Sequence, residues 1–171
     1  EEYYNRIEAI QFTMNHDDGN KIEDINKSDI ILLGVSRTSK TPTSIYLANR
    51  GFKTANIPLV NKESLPEVLK KNPKLTCIIG LTTEADRLVD LRRNRMNLLK
   101  ENENINYTDF EKISREIEES KKIFKKYSWP IVDVTRKSVE ETAASIIKIF
   151  DILNSKWKIK LFLPLEVVWE N

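Results

Sequence analysis

The sequence has little cysteine, little net charge and no long hydrophobic run, and each of these shortages argues against a class of protein. The single cysteine, Cys77, excludes an internal disulfide and suits a reducing cytosol. Lysine and arginine number 28 against 26 acidic residues, so the net charge of +2 gives no case for nucleic acid as a partner. No apolar run is long enough to span a membrane, and no signal peptide is visible. We therefore predict a cytoplasmic protein that binds neither nucleic acid nor a membrane.

Low-complexity segments and internal repeats are absent as well, and what is present is the composition of a folded domain. Hydrophobic residues make up 40% of the chain and charged residues 32%, as expected for a soluble globular protein. A length of 171 residues is sufficient for one α/β domain with a sizeable core. The chain begins with Glu1 and not with Met, so we expect a fragment or a trimmed chain.

The most informative stretch covers residues 28–44, with the sequence SDIILLGVSRTSKTPTS. Its short apolar run at 30–33 has no helical period and favours a strand that is buried on both faces. Gly34 ends that strand, and Pro42 indicates the first turn of a helix, where its missing N–H has no intrahelical partner. Gly51 would end this helix in the left-handed conformation. The stretch therefore predicts a strand, a loop and a helix in immediate succession.

The loop in this stretch is similar to the phosphate loop of nucleotide-binding proteins. It has the spacing Gly34-x-x-x-x-Ser39-Lys40-Thr41, in which inward-facing N–H groups hold phosphates, the lysine neutralises them and the hydroxyl binds Mg²⁺. The helix behind the loop adds its positive N-terminal end. Ser39 stands where a second glycine is usual, and a positive φ there would cost a serine roughly 1–2 kcal/mol. The alternative is a serine-rich turn without a ligand, but the flanking strand and helix favour the phosphate loop.

A second candidate site follows an amphipathic helix that is predicted over residues 1–15. Its sequence is His16-Asp17-Asp18-Gly19, and His16 is the only histidine of the chain. A histidine beside two carboxylates can move protons or hold Mg²⁺-bound water, which indicates a catalytic or metal-binding loop. The alternative is a solvated polar turn. The stripe that predicts the helix consists of Tyr3, Tyr4, Ile7, Ile10, Gln11 and Met14.

A third candidate site is the arginine-rich helix that is predicted over residues 84–99. Arg92 and Arg95 are three residues apart and share a face, so together they could clamp a transferring phosphoryl group. The alternative is a solvated basic face, on which the arginines pair with Asp86 and Asp90. The sequence favours neither interpretation over the other.

The remaining segments alternate between strands and helices. Strands are predicted over 52–60, 75–81 and 129–135, and helices over 64–69, 109–127 and 138–153. This alternation predicts an α/β fold with three layers and a mostly parallel sheet. Ligands of such sheets bind outside the carboxyl ends of the strands, where we expect residues 34–41, 82–83 and 133–136 to gather.

Local patterns add predictions for the second half of the chain. Ser138 and Glu141 have the spacing of a capping box, which indicates the start of the last helix. Residues 156–164 alternate charged and apolar side chains at first, and this favours a strand at a sheet edge. The buried stripe of helix 109–127 is predicted to consist of Phe110, Ile113, Ile117 and Phe124.

Five segments of the chain carry a resemblance to known proteins. They are IEAIQF at 7–12, HDDG at 16–19, GVSRTSKTPTS at 34–44, ANIPLV at 55–60 and DVTRKSVEETA at 133–143. Together they resemble the pyruvate, phosphate dikinase / phosphoenolpyruvate synthase regulatory protein family, in which serine also replaces the second glycine of the loop. The likeness covers most of residues 1–150. Members of that family carry a further N-terminal region, which we expect this chain to lack.

The resemblance implies a bifunctional enzyme. One activity is an ADP-dependent protein kinase, which phosphorylates a threonine of pyruvate, phosphate dikinase or phosphoenolpyruvate synthase and inactivates it. The other is a phosphate-dependent dephosphorylation, which releases pyrophosphate and restores activity. The implied fold is P-loop kinase-like, with a catalytic domain over residues 1–154 and an unassigned tail over residues 155–171.

The resemblance also implies roles for the candidate residues. The ADP β-phosphate, or phosphate and pyrophosphate, would be held by Gly34, Val35, Ser36, Arg37, Thr38, Ser39, Lys40 and Thr41. Lys40 would neutralise charge and Thr41 would bind Mg²⁺. The catalytic candidates are Lys40, Asp17, Asp18, His16, Arg92 and Arg95. Either Asp17 or Asp18 would be the base that orients the threonine hydroxyl, while Asp133 and Thr135 would line the nucleotide side.

Two other functions stay open at this point. A small-molecule kinase of the phosphate-loop type would use ATP and a metabolite in place of ADP and a protein. A fragment that lacks the N-terminal region of the family could bind a nucleotide and turn nothing over. The sequence leaves a homodimer open as well.

Overall fold

Four parallel strands form the centre of the fold. In the computed structural model, which describes residues 1–60, 65–71, 77–99 and 108–162, the strands are β1 (Ile30–Gly34), β2 (Thr54–Pro58), β3 (Cys77–Thr82) and β4 (Ile131–Asp133). Their order in the sheet is β2-β1-β3-β4, and neighbouring strands run parallel. The predicted α/β class and parallel sheet are therefore confirmed.

Helices pack on this sheet and join its strands. They are α1 (Glu2–Asn15), α2 (Lys40–Asn49), α3 (Glu67–Lys71), α4 (Ala85–Leu99), α5 (Phe110–Lys126) and α6 (Val139–Phe162). Two short 3₁₀ helices, Asp17–Gly19 and Ile22–Lys27, join α1 to β1. None of the helices in the described ranges combines the length and the apolar character that crossing a membrane requires.

The sheet is covered on both faces, as the continuous apolar run of β1 predicts. Leu33 belongs to the core on one face, together with Phe124 of α5. Leu32 belongs to the core on the opposite face, together with Leu47 of α2 and Ile146 of α6. Successive side chains of a strand point to opposite faces, so β1 supplies both cores at once. The result is the predicted arrangement of three layers.

The strand order leaves a crevice at the carboxyl ends of β1 and β3. The connection through α2 leaves β1 toward β2, whereas the connection through α4 and α5 leaves β3 toward β4. Because these two connections diverge, they leave a gap between the two strand ends. The loop that follows β1 lies at this gap, which is where ligands of parallel sheets bind.

The prediction of an edge strand near the C-terminus is wrong. Residues 156–162 continue α6, which runs without interruption from Val139 to Phe162. No glycine or proline occurs in α6, and Pro164 is the first in the sequence after it. A helix satisfies its backbone groups internally, so the segment needs no sheet partner. The predicted domain boundary at residue 155 falls within this helix.

The buried face of α1 also differs from the predicted stripe. Its buried residues are Ala9 and Thr13, whereas Tyr3, Tyr4 and Met14 are exposed. Small side chains let α1 lie close to β2, where the backbone N–H of Thr54 donates to the Thr13 hydroxyl at 3.0 Å. The predicted stripe is based on hydrophobic side chains, and it therefore omits the contact of α1 with β2, which depends on small residues.

Two local predictions in the second half of the chain have different outcomes. The capping box is confirmed, because the Ser138 N–H donates to Glu141 Oε2 at 2.8 Å and the Glu141 N–H donates to Ser138 Oγ at 3.1 Å. In α5, Ile113, Ile117 and Phe124 are buried, but Phe110 is half exposed in the first turn. The predicted start of a helix at residue 64 lies outside the described residues.

Candidate active site

The loop between β1 and α2 turns sharply because two of its residues adopt left-handed backbone conformations. Arg37 has a φ of 71° and Ser39 a φ of 60°. Left-handed residues in such a loop turn neighbouring N–H groups toward the same side, which creates a concave site for anions. Because the φ of Ser39 is positive, this serine carries roughly 1–2 kcal/mol of strain that a glycine would not.

Gly34 lies where the loop leaves the sheet, and only a glycine fits there. A Cβ at this position would lie 2.6 Å from Thr38 Oγ1 and 2.9 Å from the carbonyl oxygen of Leu81. The Thr38 hydroxyl is buried and donates to the Val35 carbonyl at 2.9 Å. The loop therefore folds back on itself against the end of β3, with no room for a side chain at its first residue.

Lys40 is the first residue of α2, and its side chain is buried beneath the loop. It is 7% exposed, and Nζ donates to the carbonyl of Val35 at 2.8 Å. Burial lowers the pKa of Lys40 to about 8; nearby Asp18 opposes this shift and Arg92 adds to it. At pH 7 the group is thus still a cation, and it is held by a neutral carbonyl. An anionic ligand in the loop would be a stronger partner for it.

The acidic turn after α1 meets the phosphate loop through Asn56 of β2. Asp17 Oδ1 accepts hydrogen bonds from Thr41 Oγ1 at 2.8 Å and from Asn56 Nδ2 at 2.5 Å. The amide oxygen of Asn56 accepts the N–H of Asp18 at 3.1 Å. Asn56 is fully buried, so its fixed amide aligns the turn with the start of α2. Sequence reasoning does not identify Asn56 as a site residue. The one signal for it is that a polar side chain stands between Ala55 and Ile57 in a predicted strand.

His16 is buried behind this turn and does not line the cleft. Its ring stacks on Phe12, with centroids 3.8 Å apart, and Nδ1 lies 2.7 Å from the Phe12 carbonyl oxygen. Nε2 lies 2.5 Å from Asp24 Oδ1, and this hydrogen bond lowers the pKa of Asp24. The backbone carbonyl of His16 accepts the N–H of Asn56 at 3.2 Å. These contacts hold the turn in place, whereas a direct catalytic role has no geometric support.

The two candidate arginines of α4 point to different places. Arg95 is exposed and lines the cleft. Arg92 is buried, with Nη2 2.6 Å from Glu116 Oε2 of α5 and 3.4 Å from the carbonyl oxygen of Ser36. Side chains three residues apart on a helix diverge by about 60°, which suffices to put one in the core and the other in solvent. Of these two arginines, Arg95 is therefore the one that is placed to contact a ligand in the cleft.

The cleft outside the carboxyl ends of the strands has a volume of about 840 Å³. Such a volume is within the range of small-molecule sites. The residues that line it are Asp17, Asp18, Ser36, Arg37, Ser39, Lys40, Thr41, Pro42, Pro58, Leu91, Arg95, Met96 and Leu99. Both acidic candidates, the second half of the phosphate loop and Arg95 thus share one cleft.

Asp133 and Thr135 are not among the described residues that line this cleft. The Thr135 hydroxyl accepts the N–H of Glu84 at 2.9 Å and lies 3.1 Å from the hydroxyl of Thr83. Asp133 Oδ1 accepts the N–H of Thr135 at 2.8 Å. These contacts join β4 to the start of α4, and a role on the nucleotide side stays a prediction.

Thr41 and Asp17 present the kind of ligand atoms that Mg²⁺ prefers. The hydroxyl and carboxylate oxygens lie 2.8 Å apart at the edge of the phosphate loop. Mg²⁺ often takes only one or two protein ligands and completes its shell with water and phosphate oxygens. Among the described residues, no group of three or more His, Cys, Asp and Glu side chains could hold a metal without such help. A bound phosphate would have to supply part of the shell.

The chain is similar to known proteins. A family model described as kinase/pyrophosphorylase matches residues 1–147. A protein of Pelagibacter ubique is 75% identical over 152 residues, which cover 89% of this chain and 56% of the relative. A protein of Anaplasma marginale is 52% identical over 157 residues, covering 91% of this chain and 56% of the relative. One of Paramagnetospirillum magneticum is 49% identical over 150 residues, covering 88% and 48%.

All three relatives carry the name "Putative pyruvate, phosphate dikinase regulatory protein". The chain spans about half the length of each of them. The matched residues include the acidic turn, the phosphate loop and α4, so the cleft lies wholly within the part that the family model covers. This chain belongs to the kinase/pyrophosphorylase family.

Proposed function

We propose that this chain is the catalytic part of a bifunctional regulatory enzyme. It uses ADP to phosphorylate a threonine of pyruvate, phosphate dikinase or phosphoenolpyruvate synthase, and it uses phosphate to remove that group as pyrophosphate. The observation that supports this most directly is the phosphate loop with the Lys40 ammonium beneath it and the Asp17–Thr41 pair at its end. The names of the relatives support pyruvate, phosphate dikinase as the target. A cytoplasmic location and a homodimer stay predictions.

In this proposal the loop binds the β-phosphate of ADP in the kinase reaction, and phosphate and pyrophosphate in the dephosphorylation. Lys40 leaves the Val35 carbonyl for a phosphate oxygen, because a charge-assisted hydrogen bond is the stronger one. Thr41 and Asp17 would hold Mg²⁺, which would neutralise part of the phosphate charge. Arg37 and Arg95 approach from the two walls of the cleft.

The kinase reaction joins the threonine oxygen to the β-phosphorus and breaks the bond between that phosphorus and the bridging oxygen. AMP leaves, and the threonine proton passes to a carboxylate. In the second reaction an oxygen of inorganic phosphate attacks the phosphorus of phosphothreonine. The bond to the threonine oxygen breaks, pyrophosphate leaves, and the threonine oxygen takes up a proton. One carboxylate can serve both reactions, as the base in the first and as the acid in the second.

Asp18 is the better candidate for this carboxylate. Asp17 Oδ1 already accepts two hydrogen bonds, from Thr41 and Asn56, and therefore serves to organise the site. Asp18 is exposed, lines the cleft and is close enough to Lys40 to act on its pKa. A carboxylate beside the phosphate-binding lysine is within reach of an incoming threonine hydroxyl.

A transfer assay tests the proposal. The chain is mixed with ADP labelled at the β-phosphate and with each purified target enzyme, and the expected result is label on a target threonine. Addition of phosphate should then release labelled pyrophosphate. Asp18→Asn should abolish both reactions while the dissociation constant for ADP stays within about twofold, since the carboxylate acts on a proton. Asp17→Asn should instead weaken ADP binding in the presence of Mg²⁺.

Two outcomes would favour the other functions. Phosphoryl transfer from ATP to a metabolite, with none from ADP to protein, would indicate a small-molecule kinase. Binding of ADP without transfer to either target would indicate a nucleotide-binding module without turnover. Asp151→Asn, an exposed carboxylate on α6 away from the cleft, is the matched control for the charge change.

A further inference from the structure

A second buried cation contacts the phosphate loop and is not among the described residues that line the cleft. Arg92 of α4 is 2% exposed, and its guanidinium lies 2.6 Å from a carboxylate oxygen of Glu116 on α5. The same nitrogen, Nη2, lies 3.4 Å from the carbonyl oxygen of Ser36. Arg92 is therefore in contact with both α5 and the backbone of the loop.

An apolar contact joins the same elements one residue earlier. Val35, the first loop residue after Gly34, is buried in a cluster with Leu88 of α4 and with Ile113 and Ile117 of α5. Two successive loop residues are thus attached to the α4–α5 pair, one through its side chain and one through its carbonyl. The conformation of the loop consequently depends on these two helices.

Chemistry explains why an arginine occupies this position. A buried pair of charges is seldom more stable than an apolar side chain of the same size, so packing alone does not account for Arg92. A planar guanidinium carries several donors in a fixed fork and can bind a carboxylate and a carbonyl together, which an ammonium does less well. Glu116 is 34% exposed and keeps part of its hydration, which lowers the cost of the pair.

We propose that Arg92 and Glu116 form a positioning pair for the phosphate loop. Arg92 binds the carbonyl of Ser36 and so holds this oxygen away from the cleft, which leaves N–H groups to face the phosphate. A carbonyl oxygen turned into the cleft would repel the ligand. The inference rests on the proposed function, because it assumes that the loop binds phosphate.

The test measures the affinities of folded variants for ADP and for pyrophosphate by calorimetry, well below their melting temperatures. Arg92→Met should weaken the binding of both ligands by about tenfold or more, as expected when hydrogen bonds to charged groups lose their geometry. Arg92→Lys keeps the charge but lacks the planar set of guanidinium donors. Compared with Arg92→Met, it should therefore recover the stability but only part of the affinity. Glu116→Gln should weaken binding by a smaller factor in the same direction.

The matched control is Lys121→Met, which breaks an exposed ion pair with Glu118 on the same helix. It should change neither affinity. A further readout is the double variant Arg92→Met/Glu116→Gln, whose loss of affinity should be no larger than that of Arg92→Met, because the two side chains act as one unit. If the pair had only a structural role, its removal would lower the melting temperature and leave the affinity of the folded protein for both ligands unchanged.

Wild-type affinity for both ligands in folded Arg92→Met overturns the inference. If that variant does not fold, Arg92→Lys and Glu116→Gln decide in the same way: weakened binding supports the inference, and unchanged binding overturns it. Failure of the proposed function is recognised separately, since Lys40→Ala would then also bind ADP and pyrophosphate as tightly as the unmodified chain.

Discussion

Lys40 on the α2 side of the phosphate loop and Arg92 on the α4 side are both buried cations, but their partners differ. Arg92 lies 2.6 Å from the Glu116 carboxylate, whereas Lys40 donates to the neutral carbonyl of Val35 at 2.8 Å. A buried charge beside an opposite charge is fixed in its place, while one that is held by a dipole still lacks a full counter-charge. Lys40 is thus the cation that we propose for the ligand, and Arg92 the one that we propose to hold the loop.

Removal of the Lys40 ammonium should have the largest effect on function. Lys40→Ala should abolish transfer in both directions and weaken ADP binding by about 1.5–3 kcal/mol, because a direct charged partner of the phosphate is lost. Calorimetry and the transfer assay measure the two effects. Retained transfer to the target enzyme by Lys40→Ala would show that Lys40 is not the cation that binds the ligand.

The same comparison predicts opposite effects on stability. Arg92→Met should lower the free energy of unfolding by about 2–4 kcal/mol, since it leaves the Glu116 carboxylate partly buried without its partner. Lys40→Met should not lower it, because it removes a charge that burial already penalises. Denaturant titration of both variants gives the two values. Equal losses would mean that the two cations have the same structural role.

The pH dependence of ADP binding sharpens the contrast, since arginine stays charged where Lys40 does not. Lys40 loses its proton above about pH 8, so the dissociation constant for ADP should rise there by up to about tenfold per pH unit. Lys40→Arg should show no such rise.

Protein stability should respond to pH in the opposite sense. The unfolded lysine keeps its ordinary pKa of 10.5, so the unfolded chain binds more protons between about pH 8 and 10.5, and the contribution of Lys40 to the unfolding free energy rises over that range. Calorimetric binding and denaturant titrations from pH 7 to the upper end of this range test both statements. A flat binding profile in the unmodified chain would contradict the assignment of Lys40.

The smallest expected effect concerns the loop between the two cations. Ser39→Gly should raise the free energy of unfolding by about 0.5–1 kcal/mol, because relief of the strain at φ 60° exceeds the entropy that a glycine adds to the unfolded chain. Ser36→Gly is the control, since Ser36 has no positive φ and should gain nothing. A loss of stability in Ser39→Gly would mean that the serine side chain supports the loop.

The sequence predicts the phosphate loop well because the signals are local. An apolar run, a glycine, a lysine and a proline within residues 30–42 determine a strand, a turn and a helix, and the structure has all three. The motif raises the question of a positive φ at Ser39, and the structure answers it with a φ of 60°. The Ser138–Glu141 capping box is confirmed for the same reason, since both of its hydrogen bonds join residues three apart.

The candidate site is less predictable, because its contacts join residues far apart in the sequence. Nothing near Asn56 indicates that its amide binds Asp17, which lies 39 residues away. The spacing of Arg92 and Arg95 indicates a shared face but cannot say that only Arg95 reaches the cleft. His16 has the residue type of a catalyst, and packing against Phe12 and Asp24 turns it inward.

The sequence by itself determined the order of strands and helices before residue 156, the parallel sheet and the place of the phosphate loop, since these follow from patterns within a few turns of chain. Only the tertiary structure decided which cation is available to a ligand and which is bound to a carboxylate. Burial and pairing depend on how α4 and α5 pack against the loop, and that packing brings Glu116 to Arg92 across 24 residues of sequence. The chemistry of a charged side chain is set by such neighbours, and local sequence does not contain them.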